Sequence, residues 1–74
     1  MSIKEVLKNQ IESSQSGISS RIGNGWSNLS IQLYLAGVSN TFNDLINELN
    51  ASNLITDDEQ EELTELLSNT LDKF

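Results

Sequence analysis

The chain has 74 residues, with eleven acids against four lysines and arginines, no histidine and no cysteine, and a formal net charge of −7. A chain this short forms one small domain, here residues 1–74, and buries only a modest core. Disulfides and thiolate or imidazole zinc sites are excluded, and the composition indicates no cofactor. Small domains without these aids are often stabilised by self-association, so we expect a homo-oligomer.

The charge is unevenly distributed along the chain. The first 21 residues hold three cations and two acids (+1), whereas residues 22–74 hold nine acids and one lysine (−8). Acidic surfaces repel phosphates and anionic membranes and attract basic proteins. We therefore expect a basic protein partner, no direct nucleic-acid binding and no membrane binding. The N-terminal residues lack the apolar core of a signal peptide, which predicts a cytoplasmic location.

The first predicted helix covers residues 3–13. Ser2 and Glu5 have the S-x-x-E spacing of a capping box, which marks a helix start. An apolar face follows at helical spacing, formed by Ile3, Val6, Leu7 and Ile11. The polar run at residues 13–17 is expected to end this helix.

Residues 17–38 permit two interpretations. Gly23-Asn24-Gly25 is a strong turn signal, and apolar residues then alternate with polar ones, at Leu29, Ile31, Leu33 and Leu35. This alternation is typical of a strand and predicts a β-hairpin at residues 17–35. A helix over residues 27–37, capped by Ser27 and buried on two sides, is the other interpretation. A lone hairpin has little to pair with, so we favour the helix and keep the α+β fold as the alternative.

Two further helices are predicted, over residues 40–50 and 57–73. The first would be capped by Ser39 or Asn40 and has an apolar face formed by Phe42, Leu45, Ile46 and Leu49. Leu54 and Ile55 are expected to fold inward from the loop that follows. Thr56 and Glu59 form a second capping box, before a long apolar stripe of Leu63, Leu66, Leu67, Leu71 and Phe74. The predicted fold is an all-α bundle of three to four short helices.

Two groups of residues are candidates for binding a partner. The first is an acidic run on the last helix, formed by Asp57, Asp58, Glu59, Glu61, Glu62 and Glu65. Its alternative role is a solvated, well-capped helix start, but the lack of nearby cations favours docking of a partner. The second group contains residue types that dominate interface energies, namely Arg21, Trp26 and Tyr34. The alternative for Trp26 is a simple anchor of the turn on the core.

Catalysis and metal binding are not expected. The chain has neither histidine nor cysteine for acid–base or nucleophilic work, and a domain of this size offers little room for a concave site. The acids lie on a predicted helix, and no glycine follows Gly37 to form a calcium-binding loop. We expect a non-catalytic regulator that binds and inhibits or modulates a basic protein, including nucleic-acid-binding ones. In type and size it is similar to the acidic inhibitors and antirepressors of phages and other mobile elements.

Two alternative functions stay open. In the first, the chain is a self-associating structural or adaptor protein, and the apolar stripe of residues 63–74 is its assembly surface. In the second, it is a helix-turn-helix-like DNA-binding regulator whose turn is Gly37-Val38-Ser39 and whose basic end holds Lys4, Lys8 and Arg21. The segment after that turn has no lysine or arginine to contact phosphates, which disfavours the second alternative.

Overall fold

A computed structural model describes residues 2–74 and contains three helices. They are α1 (Ile3–Gly23), α2 (Asn28–Ala51) and α3 (Asp57–Leu71), and no strand occurs within residues 2–74. The prediction of a small all-α bundle is confirmed. The hairpin at residues 17–35 is wrong, because that range holds the end of α1, a short turn and the start of α2.

Helix α1 is longer than predicted. The polar run at residues 13–17 continues the helix, so the predicted end there is wrong. Ser14 Oγ donates a hydrogen bond to the carbonyl oxygen of Ile11 at 2.6 Å, which satisfies the hydroxyl without leaving the helix. Ile18 is fully buried beyond the run. Burial of this side chain outweighs the weak helix propensity of the serines and glycine before it.

Helix α2 joins two segments that were predicted as separate helices. Gly37, Val38 and Ser39 lie in its interior, so Ser39 and Asn40 are not helix caps. A glycine inside a helix costs only about 1 kcal/mol relative to alanine. That cost does not break a helix whose two halves are both anchored in the bundle by buried side chains. The turn that a helix-turn-helix motif requires is therefore absent, and that structural prediction is wrong.

The predicted starts of all three helices are confirmed. Ser2 and Ser27 each accept a hydrogen bond at 3.1 Å from the backbone N–H three residues further on. Thr56 and Glu59 form the complete capping box, with reciprocal hydrogen bonds of 3.1 and 2.9 Å. The predicted turn after α1 is also present, and Gly25 adopts the left-handed conformation there with φ of 87°.

The core lies where α3 packs against both other helices. Its buried members come from all three helices and the last loop: Leu7, Ile11, Ile46, Ile55, Leu63 and Leu67. Ile55 folds inward as predicted, whereas the prediction for Leu54 is wrong, because it is 53% exposed. The stripe on α3 thus faces the interior of the monomer.

The three helices differ in length, which gives the bundle two unlike ends. At 1.5 Å per residue, α3 is about 22 Å long, whereas α2 is about 36 Å long. Ile18 and Ile31 are buried near the α1–α2 turn but do not belong to the core cluster around α3. The molecule is correspondingly elongated, with extents of 41 × 21 × 15 Å. Across residues 2–74, none of the helices combines the length and apolarity needed to cross a membrane.

Replacing a core leucine of α3 tests this packing. Leu67 is 2% exposed, so Leu67→Ala should lower the free energy of unfolding by about 2–5 kcal/mol through lost burial and a residual cavity. Urea unfolding followed by far-UV circular dichroism measures this change. Leu29, which is 71% exposed, provides the control, and Leu29→Ala should change stability by about 0.5 kcal/mol or less. Equal losses in both variants would contradict the observed packing.

Candidate functional site

The outer side of α3 carries a row of carboxylates, which we call the acidic face. Its five members are exposed: Asp57, Asp58, Glu61, Glu62 and Glu65. Residues three and four apart share one side of a helix, so these spacings place them together, turned away from Leu63 and Leu67. Glu59 is half-buried and occupied by the capping box. The structure therefore brings together five of the six predicted acids.

Three of the six predicted acids have partners within the fold. Glu59 accepts a hydrogen bond from the backbone N–H at the start of α3, at 2.9 Å. Asp57 Oδ1 accepts one from the side-chain amide of Asn50, also at 2.9 Å. Glu62 forms an ion pair with Lys4 of α1. The hydrogen bond to Glu62 raises the pKa of the Lys4 ammonium above its ordinary value. These three acids contribute to the structure itself.

The other three acids, Asp58, Glu61 and Glu65, form no side-chain hydrogen bond or ion pair with any described residue. The helix dipole favours Asp58 in the first turn, but its influence does not reach Glu61 and Glu65. These two glutamates are four residues apart, and a like-charge pair at that spacing destabilises a helix by about 0.2–0.5 kcal/mol. Contacts within the fold therefore do not account for these two charges.

Arg21, Trp26 and Tyr34 form a second cluster, at the α1–α2 turn. The guanidinium carbon of Arg21 lies 4.3 Å from the ring centroid of Tyr34 and 5.3 Å from that of Trp26. The two rings meet edge to face at 5.9 Å. The arginine also donates a hydrogen bond to the carbonyl oxygen of Gly17 at 2.8 Å. Cation–π attraction and this hydrogen bond hold its side chain in place, and no carboxylate of residues 2–74 pairs with it.

The acidic face and the aromatic cluster are separate surfaces. Trp26 lies in the turn before α2, and Asp57 begins the helix that follows the other end of α2. Since the 24 residues of α2 span about 36 Å, the two groups start at opposite ends of the bundle. One small partner domain cannot be centred on both. The predicted set of binding residues thus divides into an acidic surface and an aromatic one.

The sequence interpretation missed a third surface, between α1 and α2, which we call the back face. It consists of two open grooves of about 260 and 560 Å³, and no residue of α3 lines either one. The first is lined by Ile3, Val6, Leu7, Gln10, Leu45 and Leu49. The second is lined by Ser14, Leu33, Tyr34, Gly37, Val38, Thr41 and Phe42. The predicted helix over residues 27–37 was expected to be buried on two sides, whereas Leu33 is 66% exposed.

The stripe proposed as an assembly surface lies inside the monomer. Leu63 and Leu67 are 1% and 2% exposed, and Leu66 and Leu71 pack against the same core. A second copy cannot reach these side chains without unfolding the bundle. The prediction that this stripe mediates self-association is therefore wrong.

Neither a group of metal ligands nor similarity to known proteins identifies a functional site within residues 2–74. Among residues 2–74, no group of three or more acidic, histidine or cysteine side chains is arranged to hold a metal ion. Comparison of the chain with protein families, with curated proteins and with solved structures finds no match. The surfaces are therefore compared by their own chemistry.

A pair of single substitutions compares the cap of α3 with one of its free acids. Thr56→Ala removes a hydrogen bond that caps α3 and should lower the free energy of unfolding by about 1 kcal/mol. Glu61→Gln removes an exposed charge from a like-charge pair. It should leave the free energy of unfolding unchanged or raise it by about 0.2–0.5 kcal/mol. Urea unfolding at fixed protein concentration measures both. A clear loss of stability in Glu61→Gln would show that the fold needs this charge.

The aromatic cluster has its own stability test. Arg21→Ala removes the cation that stacks on the rings of Tyr34 and Trp26 and should cost about 1 kcal/mol or more of the free energy of unfolding. Lys8→Ala, an exposed cation of the same helix, is the matched control and should cost less than about 0.5 kcal/mol. Trp26 is the only tryptophan, so its fluorescence follows the unfolding of this end directly. Equal effects in the two variants would rule out a contribution from stacking.

Proposed function

We propose that this protein is a small non-catalytic regulator that acts in the cytoplasm by binding a basic protein and inhibiting or modulating it. The acidic face of α3 is the binding surface. The observation that supports this most strongly is the position of Asp58, Glu61 and Glu65, which are exposed and unpaired on one side of a helix. Their mutual repulsion is a cost that a basic partner would remove.

The expected mechanism is electrostatic steering followed by local contacts. A surface of one sign increases the rate at which an oppositely charged protein associates, and it does so less at high salt. Lysine and arginine side chains of the partner would then pair with the free carboxylates, with arginine able to bind in a bidentate manner. Glu62 is the least available of the face, because Lys4 already contacts it.

Charge pairs at a surface contribute little affinity each, so an apolar contact is also needed. Leu54 meets this requirement. It is 53% exposed in the loop before α3, and with Asp57 it lines an open groove of about 380 Å³. Leu54 is therefore our candidate for the apolar anchor beside the acids.

A nucleic-acid-binding protein is the partner class that this face fits best. Such proteins hold phosphates with clustered lysines and arginines, and a row of carboxylates competes for the same cations. Binding would then block nucleic acid from that surface. The compact acidic inhibitors and antirepressors of phages and other mobile elements act in this general way, and the resemblance to them is one of type and size alone.

The two alternative functions lose the elements on which they depended. The assembly stripe of residues 63–74 is internal at Leu63 and Leu67, and the predicted helix-turn-helix turn is a continuous part of α2. Two of the three basic residues of the DNA-binding alternative are also engaged, since Lys4 pairs with Glu62 and Arg21 stacks on aromatic rings. Lys8 is exposed. Within the acidic face, Asp58, Glu61 and Glu65 are the charges that have no other role in the fold.

The proposal is tested by removing two charges from the acidic face. The double variant Glu61→Gln/Glu65→Gln should bind its partner about tenfold more weakly or worse, because it removes two unpaired carboxylates. Partners are first captured from a nuclease-treated lysate of the source cells and identified by mass spectrometry. Affinity is then measured by titration at several salt concentrations, and binding should weaken steeply as salt rises.

The matched control is the double variant Glu12→Gln/Asp44→Asn. It changes the net charge by the same amount at two exposed acids outside α3, and it should retain nearly full affinity. Unchanged binding by the α3 variant would contradict the proposal. Equal weakening in both variants would show that net charge alone matters and that α3 is not the docking surface.

A further inference from the structure

Arg21 has hydrogen-bond donors that the fold does not use. Its Nη1 donates to the carbonyl oxygen of Gly17 at 2.8 Å, but Nε is buried without a partner, and Nη2 forms no hydrogen bond with any described residue. No carboxylate of residues 2–74 forms an ion pair with this side chain, which is half-buried. An unpaired guanidinium of this kind is complementary to an external anion such as a carboxylate.

The charge of Arg21 is also isolated from the acids of α1 and α2. Between Glu12 and Asp44 it is the only charged residue. Glu12 lies nine residues before it, about 14 Å along α1, and Asp44 lies ten residues after Tyr34, about 15 Å along α2. Both distances exceed the Debye length of about 8 Å at physiological ionic strength. The surface at the α1–α2 turn is thus locally positive, although the whole chain carries −7.

Apolar surface adjoins this charge. The ring of Tyr34, whose centroid lies 4.3 Å from the guanidinium carbon, also lines the second groove of the back face, of about 560 Å³. Leu33 in that groove is 66% exposed, and Trp26 beside the arginine is 45% exposed. Arginine, tryptophan and tyrosine are enriched among the residues that dominate binding energy at protein interfaces. The turn end therefore offers one cation and an apolar groove side by side.

We propose that this end of the back face binds an acidic peptide segment of another protein. One carboxylate of the segment pairs with Arg21, and a neighbouring apolar side chain enters the groove that begins at Tyr34. Nucleic acids and anionic membranes are held by clusters of lysines and arginines, whereas this surface has a single cation. One guanidinium beside apolar side chains matches one carboxylate beside an apolar residue.

Acids elsewhere on the molecule set the orientation of the segment. Asp44 and Glu48 are exposed further along α2, and Asp72 lines a groove on the side of α2 that faces α3. These carboxylates repel an acid of the segment that lies away from Arg21. The segment therefore carries its acid at the turn end and is apolar along the groove.

The fold holds Arg21 ready for this contact. Stacking on Tyr34 uses the face of the guanidinium, whereas the donors lie along its edge. A Cβ atom at residue 17 would lie 3.2 Å from Nη1, so Gly17 gives the guanidinium room to reach the carbonyl oxygen there. A side chain that is already ordered loses less conformational entropy when it binds.

Selection of peptides on the full chain tests the proposal. The probe is a display library of short random peptides encoded without lysine, arginine and tryptophan, so that the acidic face cannot select for cations. Selected peptides should combine an acid with a large apolar residue. Each is synthesised with its acid and with the corresponding amide, and binding is followed by the fluorescence of Trp26, the only tryptophan. The amide form should bind about tenfold more weakly or worse, because it loses a charge-assisted hydrogen bond.

Two pairs of variants locate the contact. Arg21→Gln should bind the acid and amide peptides equally, whereas Lys8→Gln, which removes an exposed cation of the same helix, should keep the preference for the acid. Leu33→Glu puts a carboxylate in the groove and should weaken binding about tenfold or more, whereas Leu54→Glu, at a similarly exposed leucine away from the groove, should not. Far-UV circular dichroism confirms that each variant keeps its helices.

Several results would overturn the proposal. They are selection of no acidic peptide, equal binding of the acid and amide forms by the unmodified chain, an undiminished preference for the acid in Arg21→Gln, and equal losses in Leu33→Glu and Leu54→Glu. A dimer in sedimentation velocity that Leu33→Glu dissociates would also overturn it, because a second copy would then cover the groove. Glu61→Gln/Glu65→Gln should bind the peptides like the unmodified chain, so a failure here is distinct from a failure of the proposed function.

Discussion

The burial of Leu63 and Leu67 between α1 and α2 is the interaction on which the rest of the structure depends. These side chains meet Leu7, Ile11 and Ile46, and they join all three helices in one core. Because a helix repeats every 3.6 residues, turning this stripe inward also turns a fixed set of positions outward. Those positions hold the carboxylates of the acidic face. The packing that stabilises the fold therefore also displays the candidate binding surface.

The length of α3 has an equally direct consequence for the other surfaces. A helix of 15 residues covers one side of the α1–α2 pair and stops short of the turn between them. The opposite side stays open along its length, which leaves Val6 and Leu33 in contact with solvent. At the turn, α3 does not pack against α1 and α2. There Arg21 stacks on Tyr34 and Trp26 and joins the two helices instead. The shortness of α3 thus accounts for the cluster at the turn, and its packing on one side alone accounts for the back face.

The sequence predicts much of the fold, for local reasons. Apolar residues at helical spacing and the caps at Ser2, Ser27 and Thr56 depend on neighbouring residues, and the structure confirms the three helix starts they mark. The continuity of α1 and α2 could not be predicted in that way. Weak helix formers at residues 13–17 and 37–39 suggested breaks, and the burial of distant side chains decided against them. The exposure of Leu33 likewise depends on which sides of α2 are covered by α1 and α3. The contacts among Arg21, Trp26 and Tyr34 depend on how α1 and α2 pack together. The spacing of apolar residues in the sequence does not reveal that packing.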